Sequence, residues 1–350
     1  MAIKATVITV TAMTIRNGDY GIRSSAGNVD VLSCKLYHNG WDGTGVPSAP
    51  TRVAMANLWT SAHTTNGGAI RIENSDSSEI AYCTVYENAR AVRYQDGSNG
   101  DIHNNESYDN LESGIYLSAS SYTGATGCTD TEVYDNESHG NMNNGLLSIG
   151  GKGNTLENNN VHDNWNTGVM LWHPAEIIVR GNTIDNNCLY SFNGVGEYGD
   201  DRGGVWAVGN TKIDTSSTFV FKLLNNTISN TQLGGLTETV GVNVDGVASY
   251  GIEITGNTFS NHEIDVWVKS QAATTVVNNN NFDGVGIGIQ NDDTSATLDA
   301  ENNWWGDASG PKDATGTNEV PPCTDNPTTE KNFDGLGDQV SDNVDYCPWL

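Results

Sequence analysis

The chain is short of positive charge. Its 350 residues hold 16 Lys and Arg against 43 Asp and Glu, a formal net charge of −27. Binding nucleic acid takes clustered cations on the phosphates, so no nucleic-acid partner is expected. An anionic membrane surface is disfavoured for the same reason. A salty or calcium-containing medium, which screens self-repulsion, suits such a chain. Long apolar runs are also missing, so no membrane insertion is expected. The opening MAIKATVITVTAMTI alternates Val/Ile with Thr as a strand does and lacks the continuous apolar centre of a signal peptide. The six cysteines form no CxxC pair, which argues against zinc. Hydrophobic residues make up only 36%, but 9 Trp, 13 Tyr and regular short Val/Ile/Leu runs point to a thin-cored repeat rather than to disorder.

The repeat is visible in ten segments: SCKLYHN, YCTVYEN, NNESYDN, DNESHGN, NNNVHDN, GNTIDNN, NNTISNT, GNTFSNH, NNNFDGV and NNWWGDA. Their second positions are Cys34, Cys83, Asn105, Asn136, Asn159, Asn182, Asn226, Asn257, Asn280 and Asn303. Five of the steps, such as Asn136 to Asn159, are 22 or 23 residues; the longer ones read as the same unit with an inserted loop. Between them run Gly-led alternating strands such as GAIRIEN, SGIYLSA and TGVMLWH, which turn Ile70, Ile72, Val92, Ile115, Leu117, Val169 and Leu171 inward. Short coils of this length with Asn/Gly corners predict an all-β solenoid in which asparagine amides stack as a ladder. A propeller needs units of about 40 residues, and a leucine-rich repeat needs a Leu pattern absent here.

The NTI-x-N turns, the GI-x-L strands and the closing NNWWGDASGP resemble right-handed parallel β-helix proteins of the pectin-lyase-like superfamily, over about residues 10–310. The resemblance implies a single-stranded right-handed parallel β-helix of about ten coils over residues 1–310, with a C-terminal cap or tail over 311–350. Such families include polysaccharide lyases, glycoside hydrolases, alginate epimerases, phage tailspikes and surface proteins, so fold alone assigns no activity. Cys323 and Cys347 bracket the tail and read as a disulfide, which points to an oxidising compartment and a secreted or cell-surface protein whose signal has been trimmed. Cys34 and Cys83 stand on adjacent ladder rungs, about 4.8 Å apart, as buried thiols or as a disulfide. Cys128 and Cys188 sit in inserted loops with no assigned partner. Trp305 falls on the inward position two after Asn303 and reads as a plug over the last rung, hiding core and sheet edge.

The outward residues of the Gly-led strands form a row: Arg23, Arg71, Arg93, Tyr116, Leu147, Met170, Trp206, Asn243, Trp267 and Gly288. The next outward positions are Glu73, Gln95, Ser118, Trp172, Asp245, Lys269 and Gln290. Three arginines in one row are unusual in so acidic a chain. Insertions at residues 40–67 and 188–204, the latter with Asp200, Asp201 and Arg202, would flank the row as walls. An aromatic groove with convergent charges is the default binding site. Its natural ligand is an anionic polysaccharide, with Arg71 and Arg93 on a uronate carboxylate, Arg23, Glu73, Asp200, Asp201 and Arg202 in contact with substrate, and Trp172, Trp206 and Trp267 under sugar rings. The plainer alternative is that the arginines pair with Glu73 and neighbouring acids as a solvated ladder.

For β-elimination or C5 epimerisation, Arg71 and Arg93 would acidify the C5 proton, with Tyr116 or His173 transferring it. This set is similar in kind to alginate-type lyases and epimerases, although no DPHE-like motif is present and WHPAE at Trp172–Glu176 does not replace it. His173 could equally serve only a turn before Pro174. Paired carboxylates for hydrolysis are the first alternative, with Asp200–Asp201 and Asp292–Asp293 as the visible pairs. The polygalacturonase motifs NTD, DD, GHG and RIK are absent as a set. A non-catalytic carbohydrate-binding or structural β-helix is the second. If a cofactor is held, calcium is the expected one, near Asp334 and Asp338 or the Gly199–Asp201 loop. The chain leaves monomer and trimer open.

Overall fold

The computed structural model describes residues 7–25, 27–40, 67–120, 127–189, 203–209, 219–232, 238–246, 251–270, 275–293, 297–313 and 332–350. One coil shows how the repeat folds. Glu132–Tyr134 forms a strand, Asp135 takes a left-handed φ of 53°, and Asn136 turns inward. Glu137–His139 follows, then Gly140 at φ 61°, the buried Asn141, and the longer strand Leu146–Ile149. A left-handed residue bends the chain sharply within one position, and Asn, Asp and Gly accept that conformation most readily. Recurrence of a left-handed residue before each inward asparagine of the ladders makes the coil, rather than local β-propensity alone.

Stacked coils give three parallel sheets of 12, 9 and 11 strands among the described residues, which contain no helix long and apolar enough to cross a membrane. Together they are a right-handed parallel β-helix. The inward residues form one continuous core from Ile22 to Val344 that includes all seven predicted inward positions. Where the chain enters the third sheet, a Cβ on Gly145 would collide with Val161 and Asn164, which explains the small residue leading that strand. Residues Gln339–Val340 and Val344–Asp345 add last strands to the third and first sheets.

The predicted ladder is present. Each carboxamide oxygen accepts from the backbone and side-chain nitrogens of the preceding rung, as Asn159 Oδ1 does from Asn136 at 3.1 and 3.0 Å. A second ladder, absent from the sequence reading, runs five residues later through Asn39, Asn88, Asn110, Asn141, Asn164 and Asn187. Cys34 and Cys83 are buried free thiols, Cys83 Sγ accepting from Cys34 N at 3.4 Å, and burial pushes the Cys83 thiol up to about 12. Cys128 and Cys188 are likewise buried, Cys188 Sγ lying 3.4 Å from Gly203 O. Cys323 lies outside the described residues, and its pairing with Cys347 with it.

Candidate functional site

The outward row of the third sheet forms as expected from Arg23 to Trp267. Arg23 pairs with Arg71, Arg71 with Arg93, Arg93 with Tyr116, and so on through Leu147, Met170, Trp206 and Asn243. The last step differs: Trp267 pairs with Gln290, not Gly288, because Ile289 rather than Ile287 lies beside Val266.

Three environments divide the row. At the arginine end, Arg71 Nη2 lies 2.7 Å from Glu73 Oε1 and 3.2 Å from Gln95 Oε1, and Nη1 donates to Tyr20 OH at 3.2 Å. Arg23 also reaches Glu73, at 3.3 Å, so one carboxylate serves two guanidiniums. The buried Arg71 Nε has no partner. Arg93 donates from Nε to Ser118 Oγ at 2.9 Å and lies 5.1 Å from the Tyr116 ring centroid. Among the described residues no carboxylate forms an ion pair with it; the nearby acid Glu112 is taken by Arg90 at 2.6 Å. Burial, with Arg90 and Arg71 close by, holds the Arg93 guanidinium below its ordinary value.

The middle is apolar. Leu147, Ile149, Met170 and Trp206 form their own buried cluster, against which Tyr116, Trp172 and Val208 pack. Trp206 is only 4% exposed, so its ring is core to this face and not an open platform in this structure. Past it, Asn243 is fully buried with neither carboxamide atom hydrogen-bonded. Trp267 donates Nε1 to Asp292 at 2.7 Å, and Lys269 Nζ stands 4.1 Å from the ring centroid, covering one face. Asp292 is therefore already engaged, by Trp267 and by Gln290 at 3.0 Å.

His173 does not join Arg71, Arg93 and Tyr116. It follows the strand Val169–Trp172, whose Met170 lies two rungs beyond Tyr116, and takes a left-handed φ of 55° with its ring against Trp172 and Gly209. Burial lowers its pKa. Asp200, Asp201 and Arg202 lie outside the described residues.

A second titratable group stands beside the third sheet. Carboxylate oxygens of Asp265, Asp283 and Asp338 lie within 4.8 Å of one another. Asp338 accepts from Gly284 N at 2.8 Å and Gly286 N at 2.6 Å, tying the C-terminal segment to the coil. His262 Nδ1 is 2.8 Å from Asp265 Oδ1 and its Nε2 is 3.2 Å from Thr231 Oγ1. Thr231 and His262 replace the next asparagines of the second ladder, so this trio ends a structural stack. Burial pushes His262 down to about 3 and holds Asp265 well above the carboxylate range, with Asp338 and Asp283 adding to the rise.

The sequence matches the family described as the right handed beta helix region over residues 3–130 and 124–279, most of the chain. The chain belongs to the right-handed β-helix family. Comparison with curated proteins returns no match. Among solved structures, this β-helix is similar to the A-module of the Azotobacter vinelandii mannuronan C-5 epimerase AlgE4, at 16% identity and TM-score 0.49, covering 81% of this chain and 78% of that one. The AlgE6 A-module from the same organism gives 12% identity and TM-score 0.43, covering 92% of this chain, which spans only 65% of that module. Pectate lyase Pel9A gives 11% identity and TM-score 0.39, covering 87% and 74%.

The buried pair gives this β-helix a testable pH response. Between the ordinary carboxyl and imidazole pKa values, about 4 and 6.5, the unfolded chain holds one proton on Asp265 and His262 together, and so does the fold. Stability from the pair is flat in that window. Above it the fold keeps a proton that the unfolded chain has shed, so stability falls as pH rises. Below it the unfolded chain gains a second proton, so stability falls as pH drops. Asp265→Asn leaves a buried neutral His262 alone, and unfolding free energy should then fall by about 1.4 kcal/mol per pH unit below about pH 6. Urea unfolding at several pH values measures this; parallel profiles for variant and wild type would contradict a shared buried proton.

Proposed function

We propose that this β-helix binds an acidic polysaccharide along the outward row of its third sheet, with uronate carboxylates held at Arg71 and Arg93. The observation that carries this reading is Arg93: a half-buried guanidinium with no carboxylate in ion-pair contact among the described residues, one rung from a second arginine. A planar fork of donors suits a carboxylate, and an incoming anion would relieve the repulsion between the two guanidiniums. The finer reading is β-elimination or C5 epimerisation. The arginines would stabilise charge developing on the carboxylate as the C5 proton leaves, and Tyr116, packed on Arg93, is the adjacent proton-transfer group. If calcium takes part, Asp265, Asp283 and Asp338 offer the oxygen ligands such a hard cation needs, and it would neutralise their charge. The position of His173 away from this cluster favours a second reading, binding without turnover. A secreted or cell-surface setting accords with both.

Incubation with alginate and pectate, with and without calcium, separates the two readings through ultraviolet absorbance of the unsaturated product and NMR of C5 inversion. Arg93→Ala should weaken uronan binding by roughly tenfold or more, the loss expected for one charge-assisted contact. Arg71→Ala should do the same and also release Glu73. Undiminished binding in both variants would remove the arginine row from the site.

A further inference from the structure

A cavity of about 510 Å³ opens on a different face, the outward side of the first sheet, in the size range of small-ligand sites. It spans the strands Phe219–Leu224, Gly251–Thr255 and Thr275–Asn278, where the register slips between Phe219 and Phe221. Irregularities of this kind are common beside binding sites because they re-aim side chains. Val276 forms the floor and Phe219 an aromatic wall, while the Ile252 side chain turns into the core behind them. Lys222 Nζ lies 2.7 Å from Glu253 Oε2 and 5.0 Å from the Phe219 ring centroid. Thr255 and Asn278 complete the polar lining. The Asn278 side-chain oxygen is buried with no hydrogen-bond partner. Asn278 stands outside the two asparagine ladders, and an unbonded buried amide oxygen costs stability.

We propose that this cavity binds a neutral saccharide. Lys222 and Glu253 cancel one another, so the cavity offers no net charge to an ion. Its polar groups are balanced: Lys222, the Asn278 amide and the Thr255 hydroxyl donate, while Glu253 and Thr255 accept. Hydroxyl groups, which both donate and accept, match such a lining. A carboxylate would face Glu253, itself an acceptor. The broad χ2 well of asparagine lets Asn278 turn its buried amide oxygen to a sugar hydroxyl. The apolar floor and Phe219 would take the less polar face of the ring. This site is independent of the arginine row, and its ligand class is the opposite one.

Saturation-transfer NMR and calorimetry with cellotriose, maltotriose and mannotriose test the proposal, with an oligouronate titrated in parallel. At least one neutral trisaccharide should bind to wild type with a Kd of about 1 mM or tighter. Asn278→Ala should weaken it roughly tenfold, and Val276→Trp, which fills the cavity, should abolish it, with oligouronate binding unchanged in both. No binding of any neutral trisaccharide at about 20 mM, or binding indifferent to both substitutions, would overturn the site. Glu253→Gln serves as a further probe should one variant fail to fold. Loss of oligouronate binding in wild type would count against the arginine row alone.

Discussion

Asn159→Leu should lower the unfolding free energy by about 5 kcal/mol, the largest single-residue effect expected in the helix body. Leucine keeps the volume and removes four hydrogen bonds. Asn159 Nδ2 donates to Val133 O at 2.9 Å and Asn182 Oδ1 at 3.0 Å, and Oδ1 accepts from Asn136 N and Nδ2. The substitution strands the Asn136 amide N–H and takes one partner each from Val133 O, Asn136 Nδ2 and Asn182 Oδ1, the last two keeping other bonds, in a core closed to water. A stranded buried group costs about 1–3 kcal/mol and each further lost bond about 1. The ladder's own exception sets the scale for a milder change. Cys83 occupies a rung and still accepts a backbone N–H through Sγ, so Asn159→Cys should cost clearly less than leucine. Urea unfolding followed by circular dichroism measures both. In a solenoid each coil is stabilised chiefly by its neighbours, so hydrogen exchange should speed up first in the coils of Asn136 and Asn182. A loss below about 1 kcal/mol would mean that the ladder is ornament.

Trp305→Ala should cost about 3–5 kcal/mol through the cavity it leaves. The ring is fully buried and stacks on Phe282 at 4.9 Å, which stacks on Phe259 at 5.3 Å. Its backbone oxygen accepts from Asp338 N at 2.8 Å, so the C-terminal segment is seated on the same residue. Trp305→Phe should lose much less, since it keeps the stack. The check is thermal unfolding together with exchange at the Asp338 amide, which should become unprotected in the alanine variant. An unchanged melting temperature would show that the helix end is closed by something else. The Trp304–Trp305 pair, in a run of Asn, Gly and Asp that suggests a sugar platform, is thus divided: Trp305 caps the core, and Trp304 stays half-buried in a bridge to Asn281.

The coil was legible because its causes are local. A left-handed Asn, Asp or Gly followed by an inward Asn recurs at most corners, and alternation tells which face a residue takes. Alternation does not tell which rung-mate it has, since a slip of two residues keeps the face. That is how Gly288 took the place of Gln290 in the row. The second ladder stands in the same quoted segments, five residues after the first, but behind corner residues as varied as His38, Glu87 and Asp109, which hide the repeat. Burial of Trp206 could not be read at all, because outward on a sheet does not mean exposed to water. The Asp265, Asp283 and Asp338 cluster joins residues that only the return of the C-terminal segment brings together.

On the proposed reading, the arginine end of the row recognises carboxylates rather than supporting the fold. Calorimetric titration of an oligouronate, beside the same oligosaccharide with its carboxyls reduced, into wild-type and Arg93→Met protein tests it most directly. Methionine keeps the apolar stem over Tyr116 and removes only the charge. Wild type should bind the acidic sugar, Arg93→Met should bind it roughly tenfold more weakly, the reduced sugar should bind little or not at all, and the unfolding free energy should barely move. Equal affinity for the acidic and reduced sugars, or a large loss of stability in Arg93→Met with affinity intact, would contradict it.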